Sequence, residues 1–222
     1  MIGPCCARTA LLIGTALFLC GCDRTVFESA PPKTLSECDK RFVGSWRIED
    51  PGHEEATQFF VTIDRACQSR FIDPDEAQHS AEEEPPLHVA FSQVAGKSLL
   101  LAKVDVDKGD KNSWADGYTL LRYEFDGRAI RLYPVDAKRI AHRIIDGEVH
   151  GRTEYHNAVP AGYHREPEGS GIDNFVAGSG EEMARVIALD GTFDKDFFVL
   201  KRVSAADISK ARSSKQTPQD QP

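Results

Sequence analysis

Tyr118-Thr119-Leu120-Leu121-Arg122-Tyr123-Glu124-Phe125, then Asp126-Gly127, then Arg128-Ala129-Ile130-Arg131-Leu132-Tyr133: in this stretch the fold is decided. Two runs of alternating apolar and polar residues flank an Asp-Gly pair. Alternation with period two is the pattern of a strand with one face in a core. Asp-Gly suits a two-residue hairpin turn in which both central positions take positive φ. The pairing predicted from this sets Phe125 opposite Arg128, Tyr123 opposite Ile130 and Leu121 opposite Leu132. One face of the hairpin is then apolar. The other carries Arg122 opposite Arg131, with Glu124 near enough to relieve the like charges.

The same alternation recurs outward from the hairpin. Phe59, Val61 and Ile63 sit two apart between polar residues, and His88 to Val94 repeats the pattern. Ser98 to Asp107 continues after a Gly96-Lys97 turn, and Phe197 to Val203 reads as a final strand. Two helices interrupt the strands. Asp136 is placed to cap Ala137 to Asp146, with Ile140, Ile144 and Ile145 as the apolar stripe, Val135 as a staple onto Ile140 and Gly147 as the stop. Ser179-Gly180-Glu181-Glu182 is a capping box that leads into Met183, Val186 and Ile187, and Asp190-Gly191 ends that helix. Several antiparallel strands with few helices predict a mainly β domain, an antiparallel curved sheet or barrel with two short helices.

The start of the chain has a different character. Met1 to Thr9 is short and polar with one cation, Arg8, and Ala10 to Leu19 is apolar or small throughout. That run is about half the twenty residues a bilayer span needs, which is the length of a signal-peptide core. It ends in Leu19-Cys20-Gly21-Cys22, which resembles the lipobox of bacterial lipoproteins. The resemblance implies that the Cys22 sulfur takes a diacylglyceryl group, that the chain is cut before Cys22, and that the new amine is acylated. Two or more acyl chains hold a protein stably on a membrane. Asp23 resembles the enteric signal for retention in the inner membrane. The implied address is the Gram-negative cell envelope, membrane-anchored and facing the periplasm.

Cleavage at that point organises the rest. Residues 1–21 become a signal peptide, and 22–36, with Pro31-Pro32 and little apolar content, reads as a lipidated tether. Residues 37–204 form a single β-rich domain, and 205–222, rich in Ser, Lys, Gln, Asp and Pro, reads as a disordered tail. Of six cysteines, only Cys38 and Cys67 then stay free. A pair in an oxidising compartment reads as a disulfide, the alternative being two buried thiols. The bridge would close a loop of about 30 residues and stabilise by about 3–4 kcal/mol. The chain has 27 basic and 35 acidic side chains, a net charge of −8, which is no electrostatic fit for nucleic acid.

Gly44-Ser45-Trp46 opens the first strand of the domain and resembles the Gly-x-Trp at the start of lipocalin and other calycin barrels. In that family a cation of the last strand packs across the tryptophan. The resemblance implies a lipocalin-like barrel with Trp46 at its closed end beneath Lys201 or Arg202, in cation–π contact. Trp114, among Lys111, Asn112, Asp116 and Gly117, reads as a loop residue.

Catalytic chemistry is hard to assemble from this chain. His142, His150, His156 and His164 cluster late, with Glu154, Glu166 and Glu168 nearby, and Tyr155-His156 and Tyr163-His164 repeat a dipeptide. Zinc needs three or four ligands that converge, but these spacings match no zinc pattern, so they read as solvated. Lys138, Arg139, His142 and Arg143 make a basic helix face that suits solvent, anionic lipid or an acidic partner. No Gly-x-Ser-x-Gly, phosphate loop or Cys-x-x-Cys occurs. The primary expectation is a non-enzymatic binding domain, without cofactor or metal, for an apolar small molecule or envelope component. The alternative is a protein-binding inhibitor or immunity lipoprotein that blocks an envelope-targeting enzyme. A metal-dependent hydrolase is the third reading.

Overall fold

The computed structural model describes residues 23–35, 37–51, 59–72, 86–104, 116–156 and 171–214. Eight strands close into an antiparallel barrel: β2 (Gly44–Glu49), β3 (Phe59–Ile63), β4 (Gln68–Ile72), β5 (Leu87–Val94), β6 (Lys97–Val104), β7 (Gly117–Asp126), β8 (Ala129–Pro134) and β11 (Phe198–Val203). Each pairs with the next in sequence from β2 to β8. The last, β11, closes the ring by pairing Leu200 with Ile130 on one side and with Ile48 on the other. The mainly β, barrel-like architecture expected from the alternation is therefore the one present.

The hairpin register differs from the expected one in an instructive way. Asp126 pairs with Ala129, so the two loop residues are Gly127 and Arg128, and only Gly127 has positive φ (60°). Tyr123 then faces Leu132, and Glu124, rather than Arg122, faces Arg131. Putting glycine alone at the first loop position is the other favoured way to match strand twist. The partner shifts by two residues, and a shift of two leaves every side chain on its expected face. The anticipated Arg122–Arg131 clash is absent. Arg122 instead lies over the Tyr133 ring, 3.9 Å from its centroid, and bonds Glu124.

The register fixes two cores. Trp46, Val61, Phe91, Leu100, Leu121 and Leu132 point into the barrel. Their strand neighbours Leu99, Leu101, Leu120 and Tyr133 point outward. That outer face is covered by a side layer inserted between β8 and β11: α1 (Ala137–Ile145), β9 (Gly151–His156), β10 (Gly171–Val176) and α2 (Gly180–Ala188). Ile140, Val176, Met183 and Ile187 complete the second core there. This explains why β6 and β7 are apolar on both faces, as strands buried on both sides must be. Both helix starts are as expected: Asp136 accepts the Arg139 N–H at 2.9 Å, and Ser179 and Glu182 form the reciprocal capping box.

Two boundaries require correction. The stretch 22–36 is not a free tether, because Arg24–Phe27 forms β1, parallel to β10 and joined to β7 at Phe27–Tyr118. Val26 (1% exposed) and Phe27 are buried, and burial of two large apolar side chains outweighs the linker-like composition around them. The tail is also structured at its start: Ala205–Ser214 is α3. Ser204 and Asp207 form a capping box there, with Ser204 N–H to Asp207 Oδ2 at 2.7 Å, and Ile208 is buried.

Candidate functional site: a barrel plugged at one end

The strand directions give the barrel two unlike ends. At one end the connections are tight turns: Asp64–Cys67, Ala95-Gly96 and Gly127-Arg128. At the other end are the long connections 50–58, 73–86 and 105–116, largely outside the described residues. The side layer also leaves from that end, after Pro134.

The tight end is sealed by Phe42, Trp46 and Arg202. Phe42 is fully buried and stacks against Phe91, Tyr123 and Phe125 at centroid distances of 4.9–5.4 Å. The Phe42 carbonyl accepts the Trp46 Nε1–H at 2.7 Å, which satisfies the one polar atom of a side chain only 2% exposed. Alternation along β11 sends Arg202 toward Trp46 and Lys201 away from it. The Arg202 guanidinium lies over the Trp46 ring, 4.3 Å from its centroid, and donates to the carbonyls of Val43 (3.1 Å) and Arg41 (3.0 Å). Lys201 instead pairs with Glu49 at 2.6 Å on the outside. Gly44 makes room for the same contact. A Cβ there would stand 2.5 Å from Arg202 Nη1, and its φ of +141° is one that other residues rarely adopt.

The segment before β2 is pinned to this end. Cys38 and Cys67 are disulfide-bonded, and Cys67 lies in the turn between β3 and β4. Leu35 N–H bonds the Phe91 carbonyl at 2.6 Å, alongside the β4–β5 seam, in which Gln68 pairs with His88 and Ser69 with Leu87. Arg41 bonds both oxygens of Asp39, lies 3.9 Å from the Phe125 centroid, and leaves Asp39 Oδ2 to accept the Tyr123 hydroxyl at 3.3 Å. Burial pushes the Asp39 carboxyl up, but bonds from Arg41 and Tyr123 outweigh it and hold the pKa below the ordinary value. Burial, with Asp39 next to it, pushes the Tyr123 hydroxyl up.

Toward the other end the inward-facing side chains are less buried. Ile48, Phe71 and Phe198 face inward by register and pack on the inner core, yet each is only half-buried. Phe59, paired with Ile48, is half-buried as well. These side chains form an apolar rim. On the same inner face, near the rim-side start of β7, lies Thr119, paired with Ala102 and 5% exposed, whose Oγ1 has no hydrogen-bond partner.

The other residues singled out from the sequence are not brought together. His142 and His150 are exposed, and among the described residues no three His, Cys, Asp or Glu side chains form a metal-holding group. Cys22, Trp114, His164, Glu166, Glu168 and the His156 side chain lie outside the described residues. The basic face of α1 is partly engaged within the fold: Arg143 donates to the Asp190 carbonyl at 2.7 Å and Arg139 lies 3.5 Å from Asp136. Asp23 is built into the sheet, where its Oδ1 accepts the Ile172 N–H at 2.9 Å. Phe42 and Asp39 of the plug escaped the sequence reading, because they sit in an irregular turn with no periodicity to mark them.

The fold and site define a closed eight-stranded antiparallel barrel, sealed at one end by a tryptophan–arginine plug and rimmed with apolar side chains at the other. No family model, curated protein or solved structure matches the chain.

Proposed function

We propose that this chain is a non-enzymatic, lipid-anchored envelope lipoprotein whose barrel takes an apolar small molecule through its rim. The observation that carries the reading is the gradient of burial along one inner face. Phe42, Trp46, Phe91 and Leu100 are closed off at the plugged end, where the half-buried Phe125 is covered by the Arg41 guanidinium, whereas Ile48, Phe59, Phe71 and Phe198 stay half-buried at the other. Sites for small molecules are concave and mostly apolar, with few polar groups that fix orientation. Among the described residues, Thr119 is a buried polar group on this face whose Oγ1 has no partner. The Gly44–Trp46–Arg202 arrangement supports kinship with calycin barrels, and Leu19-Cys20-Gly21-Cys22 supports the anchor.

Native mass spectrometry of the protein extracted from a bacterial host tests the ligand directly. A discrete added mass that extracts into organic solvent is expected, lost in Phe198→Arg. A bare chain mass in every preparation, with no uptake of added long-chain lipid, would contradict the reading. The anchor has its own test: Cys22→Ala is expected to leave an unprocessed precursor, and globomycin to accumulate the same species in the wild type.

A further inference from the structure

The anchor leaves almost no slack. A trans peptide keeps neighbouring Cα atoms about 3.8 Å apart, so Asp23 is held that close to Cys22. Asp23 is already part of the folded body through its bond to the Ile172 N–H. Arg24 follows, ion-paired to Asp173 at 3.0 Å, and β1 pairs with β10 in four consecutive rows from Arg24 to Phe27. We infer that the acylated protein has no tether, and that the N-terminal end of β1 is held directly against its bilayer. This rests on the reading of Cys22 as the acylated residue.

A second observation points to the same surface. The parallel register that pairs Arg24 with Asp173 brings Asp23 beside Ile172, and Ile172 pairs with Tyr155 on β9. Tyr155 therefore stands in the row of Asp23, two strands away, which is about 10 Å at the spacing of a sheet. It is 50% exposed, one of three large apolar side chains so exposed among the described residues. A tyrosine has an apolar ring and a polar tip, which is the chemistry of the headgroup layer. The bilayer that holds the acyl chains is the occupant this edge fits.

The same geometry orients the barrel. From Asp23, β1 climbs away from the membrane at about 3.3 Å per residue. Its far end, Phe27, pairs with Tyr118 at the start of β7, on the rim side. The rim thus faces away from the bilayer in which the protein is anchored. An apolar molecule would exchange with the aqueous space or with what lies across it, rather than with lipids beside the anchor.

The experiment uses full-length acylated protein in phosphatidylcholine vesicles that contain a headgroup nitroxide quencher. A bimane label is placed at Tyr155→Cys or, on the rim side, at Asp116→Cys. Strong quenching at 155 and several-fold weaker quenching at 116 are expected. A Gly/Ser linker of about 15 residues between Cys22 and Asp23, spanning about 20 Å, is expected to remove most of the quenching at 155. If acylated, vesicle-bound protein shows equal quenching at 155 with and without the linker, or stronger quenching at 116, the flush contact is wrong while the anchor stands. If the protein carries no acyl chains by mass spectrometry, the anchor is wrong and the inference falls with it.

Discussion

The two ends of the barrel are made from the same strands and have opposite characters. At the plugged end the sealing side chains are hydrogen-bonded: Trp46 Nε1 bonds a carbonyl, Arg202 bonds two, and Asp39 takes Arg41 and Tyr123. At the rim, apolar side chains stay half-exposed and Thr119 Oγ1 has no partner. Local stability tracks buried area and satisfied bonds. The plugged end should therefore behave as the structural base, and the rim as the part that tolerates change and gains most from a ligand.

The largest effects should come from the base. Trp46→Ala or Phe42→Ala removes a fully buried aromatic and should cost about 3–5 kcal/mol, read as a loss in denaturant midpoint. Phe198→Ala, at the rim, should cost less than half as much; equal costs would break the contrast. Replacing Cys38 and Cys67 by serine opens a loop with a sequence separation of 29 and should cost about 3–4 kcal/mol. Arg202→Ala should cost about 1–2 kcal/mol through its cation–π contact and two carbonyl bonds. Lys201→Ala, which loses an exposed ion pair, should cost under about 1 kcal/mol. Gly44→Ala should act like Arg202→Ala with added backbone strain, and a Trp46 emission shifted to the red in both variants would show that the guanidinium lid has gone.

Two smaller effects sharpen the comparison. Thr119→Val keeps the shape and removes an unpaired buried hydroxyl, so thermal melting of the empty protein should rise, by about 1 kcal/mol of stability. The Asp39 pKa is lowered in the folded state, so its contribution is present above the unfolded carboxylate pKa and is lost as pH falls through the folded value. Asp39→Asn should therefore flatten the acid limb of the stability curve and leave the neutral-pH slope unchanged.

What the sequence made legible follows from what alternation records. β3, β5, β6, the β7–β8 hairpin and β11 each have one face in the barrel core, and their period of two is plain. β4 (Gln68–Ile72) and β9 (Gly151–His156) are mostly polar, so their alternation has nothing apolar to mark it. β10 hides for another reason: Asn174 occupies an inward position, 1% exposed, bonded to Thr25, Thr153 and the Ala137 carbonyl. A buried amide is tolerated only when its bonds are satisfied, and all three partners come from other parts of the chain, invisible to a local reading. β1 is four residues long and gains its strand character entirely from β10 and β7. Of the site, the Cys38–Cys67 pair and the Trp46 contact were readable. The choice of Arg202 over Lys201 needed the register, and Phe42 needed the fold.

The most direct test of the central claim is titration of the purified protein with 1-N-phenylnaphthylamine, an apolar fluorophore that brightens on leaving water. A saturable rise at one probe per barrel is expected. Phe198→Arg, which puts a charge on the rim, should abolish it, whereas Arg128→Ala at the plugged end should leave it unchanged. No saturable rise, or the same rise in Phe198→Arg as in the wild type, would contradict a barrel that binds through its open rim.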